Sequence, residues 1–136
     1  WRSLTGSITL SGQTVTVPFD RPTGASFASG TMLFYWYATD GLKAWPQQGF
    51  HVKRNGVDLT VTPAISGLNV QLVIAEALAH GDVLEVSYAY YGPGGPSPGT
   101  VSGVGGNLRM TGPASVLFPG KTIDSWAWPF VETVTI

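Results

Sequence analysis

Hydrophobic residues recur at every second position along most of this chain. Ile8 and Leu10 alternate with polar residues, and Val15, Val17 and Phe19 do the same after a short interruption. No segment keeps the i, i+3, i+4 spacing of an amphipathic helix over the roughly ten residues that a helix needs. The pattern therefore predicts an all-β protein, with Thr and Ser on the outward positions of its strands.

Short motifs mark the turns between these predicted strands. Ser11-Gly12 closes a first hairpin, and Gly81-Asp82 stands before another strand. Asn55-Gly56 supplies the two residues with positive φ that a two-residue hairpin turn requires. The link at residues 75–80 is expected to form one helical turn.

The last third of the chain completes the predicted fold. Residues 92–99 are Gly- and Pro-rich, and we interpret them as a long loop because too few residues follow to build a second core. Strands within 101–110 and 130–136 then bring the total to seven or eight. The expected architecture is an immunoglobulin-like antiparallel β-sandwich of two sheets, with residues 1–136 forming a single domain.

One predicted strand differs from the others. Residues 31–37 read Thr-Met-Leu-Phe-Tyr-Trp-Tyr and carry large apolar groups on both faces, although a sandwich strand has only one core face. Either Tyr35 and Tyr37 or Trp36 must then lie on the outer surface. Two explanations stay open: a loop such as 92–99 covers these rings, or the rings form a platform for a ligand.

The composition excludes several classes of partner. The chain has 7 basic and 8 acidic residues and a net charge of −1, so it offers no cluster of Lys and Arg for a nucleic acid. It contains no cysteine, which excludes disulfides, thiol chemistry and Cys-ligated zinc. No run of about 18 apolar residues predicts a membrane span. We expect no nucleic-acid partner, no membrane partner and no cofactor.

Standard catalytic arrangements find no support in the sequence. A Ser-His-carboxylate triad is not indicated, since the two histidines are His51, at an outward strand position, and His80, in a turn. Asp-x-Asp spacing for calcium is also absent, so no metal site is predicted. The acidic residues fall mostly at turns and outward strand positions; they are Asp20, Asp40, Asp58, Glu76, Asp82, Glu85, Asp124 and Glu132. We expect a domain that is not an enzyme.

Aromatic residues carry the functional prediction instead. Trp and Tyr rings bind the flat C–H faces of sugars, and amide or charged groups at the rim bind sugar hydroxyls. Such groups are concentrated in the loop that follows the aromatic strand, with one more indole near the C-terminus. The predicted ligand-binding residues are Tyr35, Trp36, Tyr37, Asp40, Lys43, Trp45, Gln47, Gln48 and Trp128. For each loop ring the alternative is packing on the end of the sandwich.

Two further aromatic segments are candidates for ligand binding. In the run from Trp126 to Phe130, Trp126 and Trp128 would share one face if the segment is extended. Burial of Trp128 together with Trp126 is the alternative there. A third candidate consists of Tyr90, Tyr91 and the loop at 92–99. The alternative is that this segment is only a solvated loop.

The middle of the chain resembles a known family. The run Phe50-His51-Val52-Lys53-Arg54-Asn55-Gly56, then Leu59-Thr60-Val61-Thr62 and later Gly81-Asp82-Val83-Leu84, resembles immunoglobulin-like bacterial surface repeats of the SwmB type over residues 50–91. Those repeats also begin with a hairpin on Asn-Gly and end with a Gly-Asp turn. The resemblance implies the fold more than a function.

A second resemblance concerns the C-terminal third. Gly106-Asn107-Leu108-Arg109, followed by Ile123-Asp124-Ser125-Trp126 and Phe130, resembles the ending of β-sandwich domains that are appended to SGNH-type esterases and found in phage tail proteins. The chain departs from that pattern at Met110-Thr111, where the pattern has Asp-Ser, and at Ser125, where it has Asn. The resemblance implies an accessory domain beside a polysaccharide-modifying enzyme or on a surface.

These observations together predict a non-catalytic carbohydrate-binding module for a neutral polysaccharide or oligosaccharide. Because the chain opens on Trp1 without an apolar leader, we expect a module excised from a larger secreted protein. We expect it to be monomeric, covalently linked to a catalytic domain, and extracellular or on a virion surface. The alternative function is a structural or adhesion domain of a phage tail or bacterial surface protein.

Overall fold

The fold is seen in a computed structural model of the chain. The structure describes residues 7–20, 31–34, 46–92, 95–96, 108–112, 115–117, 119–120 and 125–136. The strands in these ranges are β1 (Thr9–Ser11), β2 (Thr14–Pro18), β3 (Met32–Phe34), β4 (Phe50–Arg54), β5 (Val57–Leu59), β6 (Val61–Ser66), β7 (Asn69–Ile74), β8 (Val83–Tyr88), β9 (Tyr91–Gly92), β10 (Gly95–Pro96), β11 (Leu108–Met110), β12 (Ser125–Trp126) and β13 (Phe130–Thr135).

Two antiparallel sheets of four strands each form the body of the protein. Sheet I has the order β1–β2–β7–β6, and sheet II has the order β13–β8–β4–β5. The chain crosses from sheet II to sheet I at Thr60, between β5 and β6. This arrangement confirms the predicted all-β sandwich with eight strands in two sheets.

The core consists of the inward side chains of both sheets. Alternation is visible directly in β7, where Val70, Leu72 and Ile74 are buried and the residues between them are exposed. Each fully buried aliphatic side chain of this kind contributes about 1.5 to 3 kcal/mol to folding. The completely buried aliphatic residues of the two sheets are Val15, Val17, Val52, Val70, Leu72, Leu84 and Val86.

A third, smaller sheet lies against one end of the sandwich. Sheet III has the order β12–β11–β3, and its Leu108 and Met110 are completely buried. The sequence placed a strand from residues 101–110 within the two main sheets. The structure corrects this, because β11 pairs with β3 and β12 in sheet III and not with a strand of sheet I or sheet II.

The predicted strand at 31–37 is seen in part. Its described portion is β3, where Met32 is buried and Phe34 packs against the core. These two residues therefore face inward. Residues 35–37 lie outside the described residues.

The turn predictions are confirmed at two hairpins. Asn55 and Gly56 have φ of 53° and 79°, as the two-residue turn between β4 and β5 requires. Gly12, at the turn between β1 and β2, has φ of 58°. In the predicted loop at 92–99, Tyr91–Gly92 pair with Gly95–Pro96, and residues 93–94 and 97–99 are not among those described.

The helical turn predicted at residues 75–80 is wrong. The Gln13 side chain occupies backbone carbonyl groups at the start of this link. The Gln13 amide donates to the carbonyl oxygens of Ile74 at 3.2 Å and Glu76 at 2.9 Å. The Glu76 carboxylate in turn accepts the Thr60 N–H at 2.9 Å. These bonds hold the link next to Thr60, where the chain crosses between the two sheets, in an irregular conformation.

Candidate functional site

The structure describes three of the nine predicted ligand-binding residues. They are Gln47 and Gln48, in the turn Pro46–Gly49 that leads into β4, and Trp128, between β12 and β13. The other six lie outside the described residues; they are Tyr35, Trp36, Tyr37, Asp40, Lys43 and Trp45.

Described residues that flank the segment 35–45 and Trp128 in the chain meet at one end of the sandwich. Phe34 precedes Tyr35 in the chain, and its ring lies 6.3 Å from that of Phe50, which follows the Pro46–Gly49 turn. Phe50 and Phe130 both pair with Tyr88, so β4 and β13 enter sheet II at the same end. Because these two strands flank β8, their starts are roughly 10 Å apart. We call this end of the molecule the aromatic end.

An aromatic cluster underlies the aromatic end. The Tyr88 ring is 4.7 Å from the Phe50 ring and 6.2 Å from the Phe130 ring, and Phe19 meets Phe130 edge-on at 6.3 Å. Ring pairs of this geometry stabilise a site by about 0.5 to 1.5 kcal/mol each beyond their burial. The cluster therefore stabilises this end of the sandwich.

The turn Pro46–Gly49 has an unusual backbone. Gln47, Gln48 and Gly49 have φ of 51°, 57° and 88°, so three successive residues adopt the left-handed region. Each non-glycine residue in this region costs about 1 to 2 kcal/mol. Backbone strain of this kind persists only where surrounding contacts enforce it, and it is concentrated at functional sites.

The Gln47 side chain is one of those enforcing contacts. Its amide oxygen accepts the backbone N–H of Val61 at 2.7 Å, and its amide nitrogen donates to the Phe50 carbonyl at 3.2 Å. Val61 begins β6 in sheet I and Phe50 begins β4 in sheet II. The amide therefore connects the two sheets and positions the turn. The Gly49 carbonyl accepts the Ala89 N–H at 2.9 Å and holds the other end.

Gln48 is placed differently from Gln47. Its side chain is half-buried, and its amide oxygen is enclosed without a hydrogen-bond partner. A buried acceptor in this state costs about 1 to 3 kcal/mol. The predicted loop therefore contains an unsatisfied acceptor that is closed to solvent.

Trp128 is exposed over 65% of its surface. Its neighbour Ala127 is 2% exposed and donates its N–H to the Leu108 carbonyl at 3.1 Å, whereas Pro129 is exposed. The connection between β12 and β13 is thus held to β11 at Ala127, and the indole of the next residue, Trp128, faces outward. Of the two alternatives for this residue, burial with Trp126 is wrong for the Trp128 ring.

Sheet II carries a group of residues that the sequence did not bring together. Ser87 and His51 are directly opposite each other on the outer face, and His51 Nδ1 lies 3.3 Å from Asp58 Oδ1 across the hairpin turn. A serine protease-like triad needs a hydrogen bond from the serine to the imidazole. Ser87 is only 1% exposed, and its hydroxyl has no hydrogen-bond partner. The group therefore has triad residue types without triad geometry. These residues become neighbours through the register of β4 with β8, which the sequence alone does not give.

The carboxylates with displaced pKa values serve the structure. Accepting the Thr60 N–H holds the pKa of Glu76 below its usual value. The pKa of Asp82 is lowered by the Ala79 N–H and then by Arg54, whose guanidinium lies 3.0 Å away. Within the described ranges, no three His, Cys, Asp or Glu side chains are grouped to hold a metal ion.

An open groove lies at the end of the molecule opposite to the aromatic end. It has a volume of about 550 Å³ and is bordered by the β1–β2 hairpin, the 75–80 link and residues 134–136. Leu10, Leu78 and Ile136 contribute its apolar lining. None of the three described ligand-binding candidates, Gln47, Gln48 and Trp128, lines it. In the described part of the chain, no helix is both long and apolar enough to cross a membrane.

Comparison with known proteins adds no relative. No family model, curated protein or solved structure matches this chain.

Proposed function

We propose that this domain is a non-catalytic carbohydrate-binding module that binds a neutral polysaccharide at its aromatic end. The observation that carries the proposal is the convergence there of Phe34, the Pro46–Gly49 turn and Phe130, because the first two flank the segment 35–45 in the chain and Phe130 follows Trp128 by two residues. The exposed Trp128 supports it, since a mostly solvent-exposed indole on an anchored connection suits ring stacking.

In this proposal each residue type has a separate role. Trp45 and Trp128, with Tyr35, Trp36 or Tyr37, stack on sugar rings. Asp40 and Lys43 bind sugar hydroxyls at the rim, and Gln48 does so through its amide nitrogen, because its amide oxygen is enclosed. Gln47 acts as a positioning residue, because both ends of its amide already contact the backbone of the protein.

The proposal also takes in the setting that the resemblances imply. The module would be a secreted accessory part of a larger protein, where it would hold a linked catalytic domain close to its polysaccharide. It would act as a monomer and need no cofactor.

Affinity gel electrophoresis tests the proposal. The wild-type domain is run in gels containing hydroxyethylcellulose, xyloglucan, galactomannan or soluble starch, and we expect retardation by at least one of them. Trp45→Ala and Trp128→Ala should each weaken binding about fivefold, since one stacking contact is worth about 1 kcal/mol. Val83→Ala removes an exposed apolar side chain at the opposite end of sheet II and serves as the control.

Two results would contradict the proposal. No retardation of the wild-type domain in any gel would remove the glycan function. Unchanged retardation of both tryptophan variants would remove the aromatic end as the site. Circular dichroism of each variant shows that a loss of binding is not a loss of fold.

A structural or adhesion domain is the second candidate. It is favoured by two neighbouring apolar residues, Val116 and Leu117, which are 94% and 83% exposed. Exposed apolar surface of this kind marks protein contacts when it is continuous. Stable oligomers of the wild-type domain in light scattering, lost in the Val116→Ser/Leu117→Ser variant, would favour this function over glycan binding.

A further inference from the structure

Among the described residues, no strand position on the outer face of sheet I carries a charge. Strand register places eleven side chains on this face in three rows. The rows are Ser11, Thr14, Val73 and Thr62; then Thr9, Thr16, Gln71 and Ala64; then Pro18, Asn69 and Ser66. Eight of the eleven carry a hydroxyl or an amide. With strands about 4.8 Å apart, the face is roughly 14 Å wide.

This face is open to solvent. Gln71 at its centre is exposed, as are Thr9 and Thr62 on the outer strands, and Thr14 and Thr16 are half-buried. Within the described part of the chain, none of the eight polar side chains is in a hydrogen bond with another group of the protein. Their hydroxyl and amide groups are therefore available to an external partner.

The outer face of sheet II is different. There Lys53 stands directly between Glu85 and Asp58, so charges of alternating sign cross three strands. Both faces consist of four antiparallel strands and are nearly the same size. Among the described strand positions, only the outer face of sheet II carries charged residues. Strand propensity alone does not produce this difference, because it acts equally on both faces.

We infer that the outer face of sheet I is a second binding surface, which takes a neutral polysaccharide chain along its rows of hydroxyl and amide groups. This inference rests on the proposed function and extends it from the aromatic end to a flat face without rings. A neutral, hydroxyl-rich chain matches the face because no charge has to be desolvated when the two meet. Each hydroxyl or amide is both donor and acceptor, as is each sugar hydroxyl.

Two substitutions test the face without altering its shape. Gln71→Glu puts one charge at its centre, and Thr16→Val removes one hydroxyl while keeping the β-branched side chain. Each should weaken binding by about two- to tenfold in the neutral polysaccharide gel that retards the wild-type domain. Thr135→Glu adds the same charge at an exposed position of β13 and should bind as the wild-type domain does.

The outcomes separate this inference from the proposed function. If the wild-type domain is retarded and both face variants bind equally well, the second surface is refuted while glycan binding stands. If no neutral polysaccharide retards the wild-type domain, both fail. Equal retardation by alginate, an anionic polysaccharide, would also refute the inference, because it depends on a neutral partner. Loss in Gln71→Glu and Thr16→Val, with Thr135→Glu unaffected, would support it.

Discussion

Tyr88→Phe removes one hydroxyl group from the centre of the molecule. Tyr88 is completely buried, and its hydroxyl accepts the backbone N–H of Leu108 at 2.9 Å and donates to the Leu108 carbonyl at 3.4 Å. Burial raises the pKa of this phenol above its usual value, so the hydroxyl carries its proton at neutral pH. The bond connects sheet II to sheet III just below the aromatic end.

The expected cost follows from what the substitution leaves behind. The Leu108 carbonyl keeps a donor, because the Ala127 N–H bonds to it at 3.1 Å, but the Leu108 N–H loses its acceptor in a fully buried site. One unsatisfied buried donor costs about 1 to 3 kcal/mol. For a chain of this size, that lowers Tm by roughly 3 to 12 °C. The phenylalanine ring keeps the contacts with Phe50 and Phe130.

Urea unfolding and amide exchange together measure this effect. Tryptophan fluorescence gives the free energy of unfolding, and hydrogen exchange should show faster exchange of the Leu108 amide in the variant. Thr133→Val, which removes an exposed hydroxyl from β13, is the control and should change stability by less than about 0.5 kcal/mol. If Tyr88→Phe unfolds like the wild-type domain and the Leu108 amide stays protected, the assigned bond does not stabilise the fold.

Three further predictions concern the turns and the carboxylates. Gln47→Ala should cost about 1 to 3 kcal/mol in urea unfolding, because it orphans the Val61 N–H. Gly56→Ala should cost about 1 kcal/mol through backbone strain alone, since φ is 79° and no atom lies within 4 Å of an added Cβ. The lowered pKa values of Glu76 and Asp82 mean that both stabilise the fold at neutral pH and lose this effect as the pH falls below about 4, so acid should weaken wild-type stability more than that of the Glu76→Gln/Asp82→Asn variant.

Each of these predictions has an outcome that contradicts it. Wild-type stability of Gln47→Ala would mean that its amide does not hold the strained turn. Wild-type stability of Gly56→Ala would mean that the hairpin turn relaxes to another type. Equal acid sensitivity of wild-type and the double variant would place the pH dependence elsewhere in the chain.

Local patterns predicted local structure well. Alternation identified the inward positions of β2 and β7 correctly, because a side chain's face in a strand depends only on its parity. Asn55-Gly56 predicted its hairpin, because few other pairs tolerate two positive φ values. The 75–80 link failed for the opposite reason: its conformation is decided by Gln13 and Thr60, which are distant in the chain.

The candidate site was predictable only in part. Aromatic and amide residue types indicated the loop, but the sequence treated Gln47 and Gln48 alike. One amide connects the two sheets, and the other has an unpaired oxygen. That difference arises from the position of Val61, which belongs to another sheet.

The sequence by itself determined the class of fold, the face taken by each strand residue and the low charge of the domain. Only the tertiary structure decided which strands are neighbours and in what register. Register placed Ser87 beside His51, gathered the aromatic end from three distant segments, and left one sheet face without charge while the other carries Lys53 between two carboxylates. The physical reason is that parity is a local property, whereas strand pairing is set by non-local contacts between inward side chains.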